Sequence, residues 1–299
     1  MNGDRPFLGI LLMLGFCVLA PLGDGIAKIL GSVISVGAMV MIRFGTQAAI
    51  LLPISILAGL PIPQSRRLIQ LIAIRTVLHI VGIGMMFTAL KYLPLADALA
   101  IVFVMPFLLL LGGWLFANET VGAHRLGACA VGFVGTLLVI QPNFTAVGWP
   151  ALLPLGVAVS FVGFIMVTRA MAKEIDPIAM QAVSGIIALA FLLPATFLLP
   201  TLDILSFDGV GKREIFLIIA LGTLGTFAHL LMTWSLRFAP SATLAPIQYI
   251  EIPFGAVIGF ILFDDLPNGL AALGIAITIA AGLYIVMRER SLTSREPDH

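Results

Sequence analysis

The chain has 299 residues, of which 60% are hydrophobic and only 10% charged, where a soluble domain carries about 25% charged residues. Sixteen Lys+Arg and fifteen Asp+Glu cannot solvate a surface of this size, so an integral membrane protein is expected and a soluble one is excluded. A net charge of +1 without a basic run excludes a nucleic-acid surface, and Cys17 and Cys129 lie inside apolar stretches, which points to neither a disulfide framework nor a metal site.

Punctuation by Gly, Pro and charge divides the chain into ten apolar segments of roughly 20 residues, the length of a spanning helix. They cover roughly 7–30, 35–58, 68–90, 94–116, 124–141, 149–171, 177–199, 214–237, 240–263 and 269–287. No period-2 alternation supports a barrel. The spacing therefore predicts an all-α integral membrane protein of ten transmembrane helices, followed by a polar cytoplasmic tail over 289–299.

Positive charge sets orientation. With the N-terminus inside, the inner ends carry Arg5, Arg66, Arg67, Arg125, Arg169, Lys173, Arg237, Arg288, Arg290 and Arg295, against Lys28, Lys91, Lys212 and Arg213 outside. Both termini are predicted to be cytoplasmic. The first segment could pass for a signal peptide, with Val18-Leu19-Ala20 as its cleavage site, but it has a counterpart in the second half of the chain and is read as a helix.

That counterpart belongs to an internal repeat. Leu90-Lys91-Tyr92-Leu93-Pro94 matches Leu236-Arg237-Phe238-Ala239-Pro240, Pro106-Phe107 matches Pro253-Phe254, and Gly122, Gly127 and Gly135 match Gly269, Gly274 and Gly282. The repeats cover 7–141 and 149–288. Five helices per repeat, an odd number, place the second copy upside down relative to the first, an arrangement of transporters.

The 5+5 repeat, the turn Ala89-Leu90-Lys91-Tyr92-Leu93-Pro94-Leu95-Ala96-Asp97-Ala98, and a proline-centred helix before a short acidic turn (Asn118-Glu119, Asp264-Asp265) resemble the drug/metabolite transporter superfamily, EamA type. Arg43-Phe44, Arg75 and the run Leu244 to Ile252 resemble a branch that includes riboflavin and S-adenosylmethionine transporters. Glu119-Thr120 departs from the family's usual Gly-Glu, with Asn118 in place of Gly. The resemblance implies a secondary transporter in a bacterial inner membrane, with riboflavin uptake as the specific expectation. Export of amino acids or related metabolites, and S-adenosylmethionine exchange, are the alternatives.

Each ionisable side chain at membrane depth needs a cavity or a partner. Glu251, near the middle of the ninth segment and just before Pro253, is the leading candidate for proton coupling or substrate contact, with an ion pair to Arg43 or Arg75 as the alternative. Gln248, three residues earlier, shares its face, and Tyr249 adds a phenol. Arg75 and His79 are four apart on one face of the third segment and suit an anionic or carbonyl-bearing solute, or else helix packing. His229 and Trp234 of the eighth segment are further candidates for solute contact. Asp24 and Lys28 are expected to pair or snorkel near the outer surface, and Asp97 to be structural or an entrance residue. Pro106 and Pro253 occupy equivalent places in the two repeats and are expected to bend helices beside the cavity, which the third, fourth, eighth and ninth helices should form. Gly255 and Gly259 are read as intramolecular packing, leaving a monomer or homodimer open.

A hydrolase is the competing class. Ala182-Val183-Ser184-Gly185 is similar to part of a G-x-S-G motif, with His229 as a base, but the first Gly is absent and nothing orients the imidazole. There is no P-loop and no H-E-x-x-H. A channel would want a ring of like residues, whereas here polar groups are scattered one per helix. The reading is a carrier, not an enzyme, with no cofactor, a small-molecule solute and lipid as partners, and protons as the candidate coupling ion.

Overall fold

The protein is described here as a computed structural model, which covers residues 6–105, 107–108, 123–198, 204–239, 244 and 247–293. The described residues form helices and no strand, apart from one isolated bridge between Ile34 and Phe207. The helices are α1 (Pro6–Leu30), α2 (Val36–Leu57), α3 (Arg66–Ala89), α4 (Leu95–Val102), α5 (Ala123–Val147), α6 (Leu153–Met171, led by a 3-10 turn Trp149–Leu152), α7 (Pro177–Leu198), α8 (Lys212–Phe238), α9 (Glu251–Phe263) and α10 (Gly269–Thr293).

Local chemistry explains where they start. Ser35 caps α2, accepting from the Ala38 N–H at 3.2 Å, and its hydroxyl donates to the Ile204 carbonyl at 2.7 Å, so one residue both starts the helix and anchors the loop before α8. Glu214 accepts from the Gly211 N–H at the start of α8 (2.9 Å), and Asn268 accepts from the Ala271 N–H at the start of α10 (2.9 Å). α9 ends where Asp264 turns left-handed at φ 56°.

Among the described residues, seven helices are long and apolar enough to cross a membrane: α1, α2, α3, α5, α6 with its leading turn, α7 and α8. α9 and the Gly269–Tyr284 part of α10 are shorter apolar helices. The expected spans at 94–116 and 240–263 are described as helix over Leu95–Val102 and Glu251–Phe263, and 109–122, 240–243, 245 and 246 lie outside the described residues, as does Pro106. Pro253 is the third residue of α9, so it follows the Tyr249–Ile250 turn and does not interrupt a long helix.

The principal neighbours are α1 with α8, α5 with α10, α3 with α6 and α2 with α7, followed by α2 with α8, α1 with α9 and α4 with α9. Glycines set the closest approaches. Gly255 and Gly259 face Leu99 and Leu95 of α4, so this stripe serves packing within the chain. On α5 and α10 a Cβ built on Gly135 would stand 2.9 Å from the Gly274 carbonyl oxygen, and one on Gly274 would meet the Gly135 carbonyl in turn. Two backbones in contact cannot yield as a flexible side chain can. Gly274→Ala is therefore expected to cost about 1–3 kcal/mol, read as a lower melting temperature of purified protein. Gly127→Ala on the same α5, with open space around it, should leave the melt unchanged.

Candidate functional site

Seven segments converge on one cavity of about 80 Å³ at the centre of the bundle. α1 contributes Phe16, Ala20 and Asp24, which are four residues apart and so share a face. α2 contributes Arg43; α3 contributes Gly82, Ile83, Met86 and Phe87; α4 contributes Leu99, Val102 and Phe103. Val157 and Phe161 of α6, His229 of α8, and Gln248 and Glu251 at the head of α9 complete the wall, with Met105 after α4. The lining is thus wider than the third, fourth, eighth and ninth helices of the expectation, because α1, α2 and α6 also reach the centre.

Polar groups are concentrated in it. Arg43, His229, Gln248 and Glu251 are each at least nine-tenths buried, and Asp24 faces the same space. Arg43 Nη2 lies 2.8 Å from His229 Nδ1. A guanidinium has donors and no acceptor, so Nδ1 accepts and the imidazole proton sits on Nε2. The Cys17 thiol donates to the Ile247 carbonyl at 3.4 Å, tying α1 to the turn that presents Gln248 and Glu251. Four phenylalanine rings, Phe16, Phe87, Phe103 and Phe161, supply the apolar surface.

Of the other expected site residues, Arg75 and His79 are buried side by side in the bundle but behind this wall. Arg75 Nε donates to Thr168 Oγ1 at 2.8 Å and Nη1 to Ser184 Oγ at 2.9 Å and Gln181 Oε1 at 3.4 Å, while the guanidinium lies 4.3 Å from the centre of the Phe164 ring. It pins α3 to α6 and α7. The Ser184 hydroxyl that could have served a hydrolase is held by this arginine. His79 lies tilted against His229 with ring centres 4.4 Å apart and against Phe164 at 4.6 Å, with Phe44 edge-on at 5.2 Å. Among the described residues neither guanidinium makes an ion pair with Glu251. Tyr249 packs against Phe103 and Ile252, and Trp234 against Leu51, Ala182 and Leu230, both away from the cavity.

The Asp24–Lys28 pairing expected from their spacing does not form. Lys28 Nζ instead bridges to Asp265 Oδ2 at 2.7 Å and to the Leu93 carbonyl at 3.0 Å, joining α1 to the turns before α4 and before α10. One turn earlier in α1, Asp24 is left facing inward. Asp97 is structural as described: Asn143 Nδ2 of α5 donates to its Oδ2 at 2.9 Å. Asp24 thus lines the cavity, not the outer surface its spacing with Lys28 suggested, and none of the four phenylalanines was expected there. The i, i+4, i+8 series Phe16, Ala20, Asp24 was the available signal for Asp24 and Phe16.

The sequence matches the EamA-like transporter family over residues 7–141 and 148–288. Curated relatives include the riboflavin transporter of Rhizobium johnstonii, 29% identical over 75% of this chain and 72% of that one, and the riboflavin transporter of Vibrio cholerae, 25% identical over 86% and 84%. The S-adenosylmethionine uptake transporter of Rickettsia bellii is 24% identical over 91% of each chain. A solved crystal structure superposes with a TM-score of 0.62 at 17% identity over 96% of both chains, a likeness of fold alone. The apolar helices and this match together make the protein a multi-pass membrane protein of a transporter lineage. The chain belongs to the EamA-like transporter family.

Proposed function

We propose that the protein is a secondary carrier that takes up riboflavin across a bacterial cytoplasmic membrane by alternating access. The observation that carries the reading is the central cavity, where Arg43, Gln248, Glu251 and Asp24 share one small space with four phenylalanine rings. Buried polar groups with hydrogen-bonding capacity to spare are what a polar solute satisfies, and aromatic faces suit a flat tricyclic ring. At about 80 Å³ the cavity offers less than a ligand's volume, since small-molecule pockets run from about 300 Å³. Helices must separate for a solute to enter, as alternating access requires.

The proposed membrane arrangement is ten spans in two inverted five-helix halves, 7–141 and 149–288, with both termini cytoplasmic. Its support is the pattern of neighbours. Exchanging each helix for its counterpart in the other half turns the α1–α8 contact into α6–α3 and returns α2–α7, α4–α9 and α5–α10 to themselves, and all of these contacts occur. Glu251, at the head of α9, is the proposed proton-coupling group.

Asp24 and Glu251 together favour a second reading, since two carboxyl groups in one cavity suit a cationic solute such as S-adenosylmethionine. Labelled uptake into cells that lack flavin synthesis and import separates the two. Wild type should confer riboflavin uptake that an uncoupler or Glu251→Gln reduces by about tenfold or more, and S-adenosylmethionine should not compete. Absence of flavin uptake by inserted protein, with S-adenosylmethionine accumulation instead, selects the second reading.

A further inference from the structure

Resting on the riboflavin reading, we propose that the cavity recognises the imide edge of the flavin ring: Arg43 and Gln248 donate to its two carbonyls, Glu251 accepts its N–H, and His229 positions Arg43.

The argument starts from unused hydrogen-bonding capacity. Arg43 is 5% exposed and Gln248 6%, yet the Arg43–His229 contact occupies only one of five guanidinium donors, and among the described residues the Gln248 amide makes no hydrogen bond. Glu251, 8% exposed, makes no ion pair among the described residues, and the Cys17 thiol spends its one proton on the Ile247 carbonyl. Polar groups buried to this degree are normally satisfied, so the partners come from what the cavity holds.

The arrangement has a definite pattern. Gln248 and Glu251 are three residues apart and project together from one turn, while Arg43 enters the same cavity from α2. Donor, acceptor and donor thus line one space. The pyrimidinedione end of a flavin presents the complement, a carbonyl, an N–H and a second carbonyl in one plane. Phe103 and Phe161 offer apolar surface to the ring behind that edge.

His229 completes the set without touching solute in this role. Its Nδ1 holds Arg43 Nη2 at 2.8 Å, and edge-on contact with Phe16 at 5.6 Å between ring centres and a tilted contact with His79 at 4.4 Å fix the imidazole. Arg43 is thereby kept at the wall, where among the described residues it makes no salt bridge to Asp24 or Glu251 although Asp24 lies in the same cavity, so donors remain for a neutral acceptor.

The test is competition against labelled riboflavin in flavin-dependent cells expressing the full chain. N3-methylriboflavin, whose imide N–H is blocked, should compete about tenfold more weakly than riboflavin or worse. Lumiflavin, which keeps the imide but lacks the ribityl chain, should remain within about threefold of riboflavin. His229→Leu should raise KM about tenfold with kcat little changed, and His229→Asn, whose Oδ1 can still accept from Arg43, should restore much of the loss. Equal competition by N3-methylriboflavin, or a His229→Leu KM like wild type, overturns the imide reading while riboflavin transport stands. No riboflavin uptake at all by membrane-inserted wild type overturns both.

Discussion

Arg75→Ala is expected to destabilise the protein by about 3–5 kcal/mol, the largest stability effect of any single substitution considered. The side chain is 0% exposed, and its guanidinium ties α3 to Thr168 of α6 and to Gln181 and Ser184 of α7 while lying over Phe164. Truncation removes three charge-assisted hydrogen bonds and opens a void of side-chain size in the bundle. Ser184→Ala, which removes one acceptor only, should cost about 1 kcal/mol. Arg75→Lys should behave nearly as badly as alanine. An ammonium keeps the charge but cannot reach several acceptors through a planar fork or lie flat on a ring. Melting of the purified variants in detergent measures all three. An alanine variant within about 1 kcal/mol of wild type would show that the network is not holding these helices.

Helix positions were legible in the sequence because Pro, Gly and charge punctuate apolar runs of spanning length. Ser35, Pro177 and Asn268 mark starts that the structure uses. The face that Arg75 and His79 share was also legible, since spacing of four fixes it and burial of a cation in lipid demands an interior partner. Which interior was not. A helix's rotation relative to its neighbours depends on packing between distant segments, and α3 turns Gly82 and Met86 toward the cavity while Arg75 and His79 meet α6 and α7. Gln248 and Tyr249 differ by one residue, about 100° of rotation, so a cavity that takes the amide leaves the phenol against Phe103. Lys28 illustrates the same limit: its partner Asp265 lies 237 residues away, and no local spacing announces it. Asp24 was read as a surface residue for want of that contact.

Arg43→Ala is expected to lower kcat/KM for riboflavin by about 100-fold, the largest functional effect predicted, because it removes a charged donor from a buried cavity and leaves His229 Nδ1 without its partner. That variant also alters the bundle, so a gentler displacement is the sharper test. Gly225 of α8 lies against the guanidinium: a Cβ there would stand 2.7 Å from Arg43 Cζ. The obstructing group is the end of a flexible side chain, which can swing aside. Gly225→Ala should therefore change the melting temperature little, corresponding to less than about 1 kcal/mol. Its charge and hydrogen-bonding groups are all retained, yet Arg43 can no longer rest where His229 holds it. Riboflavin KM should rise about tenfold, with transport at saturating solute largely kept. Uptake kinetics normalised to the protein in the membrane separate the two effects. If Gly225→Ala transports with wild-type KM while Arg43→Ala fails, the position of the guanidinium does not matter and its charge alone serves the carrier. If both transport normally, Arg43 braces the helices and the solute is held elsewhere in the cavity.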